Sequence, residues 1–322
     1  MNIPSFLRSR LDTFGPLLGL LFVFGLFCLS PEVRSSFLTV DNTRIILTQT
    51  VIVAVAALGM TLIIASGGID LSVGSVIALV SVVGARALEA GTPPGTACLL
   101  MVLCGMAVGF INGGLIAGFR LMPFIVTLGM LGVARGAAKW SAHEQTVTIP
   151  DTWINTLMQP FPEPAWIQVS AGVWVAVLLS VLALLVLNRT VFGRHIYALG
   201  SNESAARLCG VPIAPTKIAI YTLAGAFFGV AGAFQLARLQ QGDPSVAVGV
   251  ELDVIAAVVI GGASLSGGTG SIAGSLIGAL IMAVLRNGSQ QIGWPTYIQE
   301  IMIGGVIVLA VGLDRWRHGR KE

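Results

Sequence analysis

Uncharged apolar stretches recur along the whole of this chain, and no other feature restricts its folding so strongly. They cover 13–31, 45–69, 71–85, 90–119, 121–134, 164–188, 218–237, 254–285 and 301–313. A helix needs about 20 apolar residues to cross the ~30 Å hydrocarbon core of a bilayer. Only 10% of the 322 residues are charged and 55% are hydrophobic, whereas a water-soluble domain carries about 25% charged residues. The solvent of this chain is therefore lipid. The same scarcity of charge excludes a nucleic-acid binder, a coiled coil and a disordered tail. Stretch 254–285, with Gly261-Gly262 and Gly267-Gly268 inside it, is long enough for two short helices or one broken one. Divided there, the pattern predicts an all-α polytopic membrane bundle of about ten segments, forming one transmembrane domain over 1–322.

Forty glycines let helix backbones approach closely in such a bundle. At the N-terminus, Arg8 and Arg10 precede an apolar run that leaves through Ser30-Pro31-Glu32. No small-residue cleavage pattern follows, so the run reads as an uncleaved first helix rather than a signal peptide. Cys28, Cys98 and Cys104 lie in apolar runs and Cys209 in a polar stretch. None forms a CxxC pair, and His143, His195 and His318 are far apart, so neither a metal site nor a cofactor motif is expected.

Two polar stretches stand out. The first, 141–168, carries Pro150, Pro160, Pro162 and Pro164, with Trp153 and Trp166 suited to a headgroup position. The second, 189–217, is basic. Lys and Arg concentrate on the cytoplasmic side of membrane proteins. With the N-terminus inside and about ten spans, Arg8, Arg10, Arg120, Arg189, Arg194, Arg207, Lys217, Arg315, Arg317, Arg320 and Lys321 fall inside. Arg34, Arg44, Arg86, Arg135, Lys139, Arg238 and Arg286 fall outside, each isolated. Both termini are then cytoplasmic, 141–168 is outside, 189–217 is inside, and the chain is a multi-pass protein of a bacterial inner membrane.

One motif is echoed. Residues 67–74 and 261–268 both read GGxxLSxG, each after an apolar run and before a Gly/Ser/Ala-rich one. A Gly-Gly pair weakens a helix, and exposed backbone in a bilayer is tolerated only against protein or a water-filled path. The echo therefore marks broken helices, and Gly67, Gly68, Asp70, Ser72, Gly261, Gly262 and Ser266 are candidates for a translocation path. Asp70 has two readings: it caps a helix beginning near Leu71, or it handles substrate or protons. Asn112, Gln49, Thr127 and Asn287 are polar groups on apolar helices, suited to hydrogen-bonding a polar solute or to joining helices.

In the basic stretch, Ser201 or Asn202 can cap a short helix, Glu203 suits its first turn, and Gly210 with Pro212 ends it. Ala205, Ala206, Leu208 and Cys209 give this helix a small apolar surface. About two turns are marginal alone, so a partner groove or the rest of the chain must hold it.

Leu58-Gly59-Met60-Thr61 followed by 66–75, Asn112-Gly113, 123–129, 193–210 and 251–262 together resemble, in order and over most of the chain, the permease subunits of bacterial ABC sugar importers of the ribose, galactose, xylose and arabinose type. The resemblance implies a permease that pairs with a second permease copy, identical or paralogous, with a cytoplasmic ABC ATPase and with a periplasmic sugar-binding protein. It makes Asn202, Glu203, Ser204, Ala205, Ala206, Arg207, Leu208 and Gly210 the ATPase-coupling loop. The common motif has Glu directly before the Ala-Ala pair; here Ser204 stands there and Glu203 one residue earlier. No GxxxxGK[ST] phosphate loop occurs, so hydrolysis belongs to the partner. The competing class is an ion-coupled secondary transporter, which needs titratable groups along its path; Asp70 is its main candidate, with Glu251, Asp253 and Glu300 at predicted helix edges. A membrane enzyme would need a catalytic constellation, and none is found.

Overall fold

Inside a bilayer a backbone N–H or C=O finds no water, so each segment must satisfy its own groups, and helices do this within one segment. The computed structural model describes residues 5–31, 33–164 and 167–318; Glu32, Trp166, Arg320 and Lys321 lie outside the described residues. Among those described, the order is α1 (Ser5–Leu29), α2 (Arg34–Phe37), α3 (Val40–Ala65), α4 (Val73–Glu89), α5 (Pro94–Gly118), α6 (Pro123–Ala142), β1 (Val147–Thr148), a single 3-10 turn (Trp153–Thr156), α7 (Ala171–Arg189), α8 (Val191–Ser201), α9 (Glu203–Leu208), α10 (Ile213–Leu239), β2 (Gln241–Gly242), α11 (Val250–Ile260), α12 (Ile272–Ile292) and α13 (Thr296–His318). Among the described residues, five helices, α3, α5, α7, α10 and α12, are apolar and long enough to cross a membrane by length and composition. α4, with 17 residues, and α11, with 11, are shorter than a full crossing, so the count of about ten is not confirmed.

Stretch 254–285 resolves into α11 and α12, divided by the non-helical residues 261–271. At about 1.5 Å per residue, the 11 residues of α11 extend only about half the depth of a hydrocarbon core. The basic stretch is more ordered than its polarity predicts: it holds α8 as well as the expected short helix. Thr190 caps α8 by accepting from the Gly193 N–H at 3.1 Å, and Ile196 and Leu199 bury one face.

The two ends of the bundle differ. At one end, the Gly268 N–H donates to the Ala65 carbonyl at 3.0 Å, and α9 lies against the start of α10 through a Lys217–Glu203 pair at 2.8 Å. At the other end, Arg44 donates to Gln168 at 2.6 Å, Arg86 Nε donates to the Ser141 carbonyl at 3.0 Å, and Gln291 donates to Asn42 at 2.6 Å. There β1 pairs antiparallel with β2, Val147 opposite Gly242 and Thr148 opposite Gln241. Stretch 141–168 and the connection after α10 are thus tied together.

The core is centred on α3, whose residues from Ala54 to Ala65 are all buried. Around it, α5 and α10 make the most extensive helix pair. Gly105, Gly109 and Gly113 of α5 are spaced by four; the first two face Gly225 and Gly229 of α10 and the third faces Ile218 and Tyr221, and this spacing lets backbones touch in lipid. A Cβ on Gly109 would overlap the Tyr221 carbonyl, whereas one on Gly114 meets nothing within 4 Å. Gly109→Ala should therefore cost about 1–3 kcal/mol of stability, the usual penalty for overpacking, and Gly114→Ala should be near neutral. Melting temperatures of the two purified variants check this: a drop for the first and none for the second is expected.

Candidate functional site

Both GGxxLSxG segments end a helix in the same way. At the end of α3 the Gly67 N–H donates to Ile64 at 2.9 Å and the Gly68 N–H to Ile63 at 3.0 Å. At the end of α11 the Gly262 N–H donates to Val259 at 2.9 Å and the Ala263 N–H to Val258 at 3.1 Å. These are paired C-terminal caps of the Schellman kind, with the left-handed residue just past the helix. That residue is Gly67, at φ +82°, and Gly262, at φ +94°. The two caps are offset by one position within the shared motif.

The second half of each motif also makes a common turn. Asp70 Oδ1 accepts from the Ser72 N–H at 2.7 Å and from Ser72 Oγ at 2.6 Å, and Ser264 Oγ accepts from the Ser266 N–H at 3.3 Å. Such side chains replace a backbone turn by bonding two residues ahead. α4 starts at Val73, so Asp70 builds the turn that leads into the helix instead of capping its first residue. Asp70 is 1% exposed. Asn112 of α5 donates to Ser72 Oγ at 3.2 Å and approaches Asp70 Oδ2 at 3.5 Å, while Thr127 of α6 donates to the Ile69 carbonyl at 3.2 Å. The Tyr221 hydroxyl and Asn112 Oδ1 are buried with no partner among the described residues. Asn287 accepts from Gln291, one turn further along α12, at 3.1 Å, and it is Gln291 that joins helices, donating to Asn42 of α3 at 2.6 Å.

The two motifs meet at the end of α8. A Cβ on Gly200 would overlap the Ala65 carbonyl and come within 2.5 Å of the Gly268 nitrogen. A Cβ on Gly267 would lie 2.7 Å from the Gly200 oxygen and 2.8 Å from Gly67 Cα. Tyr197 of α8 donates to the Gly270 carbonyl at 2.8 Å. So the last turn of α8 packs, backbone on backbone, against the turns after α3 and after α11. One residue later the chain enters α9, with Asn202 Oδ1 capping the Ala205 N–H at 2.9 Å.

On α9 the sequence-derived surface divides. Ala205, Leu208 and Cys209 are exposed, Leu208 by 89%, whereas Ala206 is buried against the chain itself. Ser204 and Gly210 are exposed. Glu203 turns back to bridge Lys217 at 2.8 Å and Arg207 at 3.2 Å. The Lys217 hydrogen bond and the adjacent Arg207 charge hold its carboxyl below the usual glutamate range. Gly67, Gly262 and Ser266 are exposed, Gly67 beside Gly200 of α8, and Gly68 and Gly261 are buried.

A second cluster escapes sequence reasoning. After β2 the chain does not turn straight into a helix. Gly242 sits against Ser81, Val82 and Ala85 of α4, and Ala247 and Glu251 sit against Gly74, in the first turn of α4. Residues 243–249 therefore descend alongside α4 before α11 begins. Arg135 of α6 donates to the carbonyls of Pro244 at 2.8 Å and Val246 at 2.6 Å, supplying partners for backbone that has left a helix. Asp243 Oδ1 accepts from the Ser245 N–H at 2.8 Å and Oγ at 2.6 Å, the same turn as Asp70-x-Ser72. Below it, Asp253 of α11 pairs with Arg286 of α12. Asp253 is almost wholly buried, while the Arg286 side chain is 42% exposed. The signal was present: Asp-x-Ser recurs at 243–245 after an apolar helix, and single arginines interrupt apolar runs at Arg135 and Arg286.

The family model described as branched-chain amino acid transport system / permease component matches residues 42–311. The chain is 40% identical over 279 residues to the ribose import permease protein RbsC of Escherichia coli (strain K12), covering 87% of each chain. It is 39% identical over 301 residues to the ribose import permease protein RbsC of Bacillus subtilis (strain 168), covering 94% of this chain and 92% of that one. It is 35% identical over 286 residues to the L-arabinose ABC transporter permease protein AraH of Azospirillum brasilense, covering 89% and 83%. No solved structure matches.

Removal of the Asp70 acceptor separates its structural share from any other. Asp70→Ala leaves a buried N–H without a partner and should cost about 1–3 kcal/mol, lowering the melting temperature. Asp70→Asn keeps an oxygen at Oδ1 and should retain most of that stability. Parallel melting curves of the two variants check the difference.

Proposed function

The chain belongs to the family described as branched-chain amino acid transport system / permease component, and we propose that it is the membrane-spanning permease subunit of an ATP-binding-cassette importer that carries a monosaccharide. The relatives named for ribose and arabinose import support a sugar over an amino acid. The subunit is not itself an enzyme: it pairs with a second permease copy, a cytoplasmic ATPase that hydrolyses the nucleotide and a periplasmic sugar-binding protein. It acts as one transmembrane domain over 1–322 in a bacterial inner membrane. The gathering of Arg120, Arg207 and Lys217 at the α9 end supports a cytoplasmic position for that end and for both termini.

The observation that carries the coupling part of this reading is the attachment of α9. Its outer side offers Leu208 and Ala205 to a partner, and a single residue, Asn202, separates it from the α8 turn that packs on both GGxxLSxG segments. A push on α9 is thereby delivered to the ends of α3 and α11 together. At the opposite end, β1 belongs to the 141–168 stretch and is hydrogen-bonded to β2, which leads through 243–249 into α11. The binding protein docks on that stretch. Short α11 then connects the outer docking face with the inner coupling face, and the half-exposed Arg286, with Glu251 and Asp243, lines the solute's route between the two permease copies. Gly67, Gly68, Asp70, Ser72, Asn112, Gly261, Gly262 and Ser266 form the inner gate that the α8 turn moves.

Reconstituted vesicles holding this chain, its ATPase and its binding protein should take up sugar only with ATP. Leu208→Glu should abolish uptake and weaken recovery of the ATPase with the permease, without changing the melting temperature, because the side chain is already in solvent. Ala206→Glu should instead lower the melting temperature, since Ala206 faces inward. Uptake by the chain alone under an ion gradient would overturn the proposal in favour of a secondary transporter.

A further inference from the structure

A cleft of about 490 Å³ opens at the α9 end, between the α5–α6 turn and the α9–α10 region. Its walls bring together Arg120, Arg207, Lys217 and Glu203, with Ile116 at its inner side. The charges do not balance. Both Glu203 oxygens are taken, one by Arg207 and the other by Lys217. Arg120 has no ion-pair partner among the described residues, and it is held at the turn in a left-handed conformation, φ +54°. Three cations thus surround one carboxylate, leaving two positive charges in excess.

The rim is the opposite in character. Phe119 and Met122, either side of Arg120, are 72% and 69% exposed, and Phe124 and Ile125 of α6 are exposed just beyond. These residues lie where α5 leaves and α6 enters the apolar layer. An acidic side chain from a soluble partner would satisfy the cations but leave these large apolar groups uncovered. An amphiphile satisfies both: an anionic head in the cleft and hydrocarbon along the rim. Basic pockets between helices at the membrane boundary recognise anionic lipid heads in this way.

We propose that this cleft is a binding site for the phosphate head of an anionic phospholipid, with Arg120 as its principal ligand and the acyl chains lying over Phe119 and Met122. The inference requires only that the chain lies in a bilayer, so it stands or falls separately from the role of α9 as the ATPase contact. The occupied cleft would brace the α5–α6 turn against the base of α9.

The full-length chain, purified in detergent, is titrated with dioleoyl phosphatidylglycerol, dioleoyl phosphatidylcholine and glycerol 3-phosphate, and bound species are counted by native mass spectrometry. One phosphatidylglycerol should be retained per chain, at least tenfold more tightly than phosphatidylcholine, and glycerol 3-phosphate should not displace it at millimolar concentration. Arg120→Gln should lower retention about tenfold and Arg120→Lys should preserve most of it, both at unchanged melting temperature. If Arg120→Gln fails to fold, Arg207→Gln, whose side chain is 57% exposed, should lower retention in the same direction. Equal retention of the two lipids, or retention indifferent to both Gln variants, overturns the site. Binding of glycerol 3-phosphate as tight as that of the lipid overturns it in favour of a soluble-anion site. Displacement of the lipid by purified ATPase, one for one, overturns it in favour of an acidic contact with that partner.

Discussion

A peptide group that leaves a helix inside lipid must find a partner within the protein, at a cost of several kcal/mol if it does not. This chain leaves the helix among packed helices in three places, after α3 and after α11 at the α9 end and before α11 alongside α4, and each is answered differently. After α3, two backbone donors fold back on Ile63 and Ile64 and Asp70 closes the next turn. After α11, the same backbone cap forms and Gly268 donates across to Ala65 of α3. Before α11, the guanidinium of Arg135 takes up the carbonyls of Pro244 and Val246. Two unusual residues of the sequence, the buried carboxylate of Asp70 and the isolated Arg135, are explained by these three breaks before any transport role is considered.

The breaks also decide which parts can move together. Backbone contact without side chains, as at Gly67, Gly200 and Gly267, has no flexible atoms to absorb a displacement, so a shift of α8 is passed on whole. α11 is short, is bounded by non-helical backbone at both ends and is held laterally by α12, where Gly261 faces Gly274 and Ala257 faces Gly278. Because the turns after α3 and after α11 both meet α8 through such contacts, a displacement there reaches both, while α5 and α10 stay joined to each other by their own glycine contacts. Rigid-body gating of one part of a bundle against another around broken helices is how many transporters alternate access.

Much of this was legible from residues alone. The period and length of the apolar runs, the division of 254–285, the cap at Asn202 and the sorting of Arg120, Arg207 and Lys217 to one end all follow from local chemistry. Three features did not. α8 was hidden because Arg194 and His195 make its stretch look like a solvated loop, although Phe192, Ile196 and Leu199 already stand at helical spacing. Ala206 looks like part of a docking surface because alanine does not reveal which side of a two-turn helix is covered; only the position of α10 decides it. The descent of 243–249 was marked only by the Asp-x-Ser turn at 243–245; its main partner, Arg135, is more than a hundred residues away, and its acceptors are carbonyls that every residue carries.

The ionic groups along α11 bear on what kind of solute such a conduit suits. A lone charge at this depth would attract a counter-charge and hold it, whereas conduction needs binding weak enough to release. Asp253 is buried and paired, so it is unavailable as a free acceptor, and its partner Arg286 keeps part of its guanidinium outward. The pair therefore presents hydrogen-bond donors in a fixed fork with little net charge behind them. On the proposed route past this pair, an uncharged polyol exchanges its water hydrogen bonds for these one at a time, gaining little in total and so passing on, while a cation finds the arginine facing it. Under the same proposal, selection among sugars falls to the binding protein that delivers them, and the wall needs only to be polar, paired and partly open.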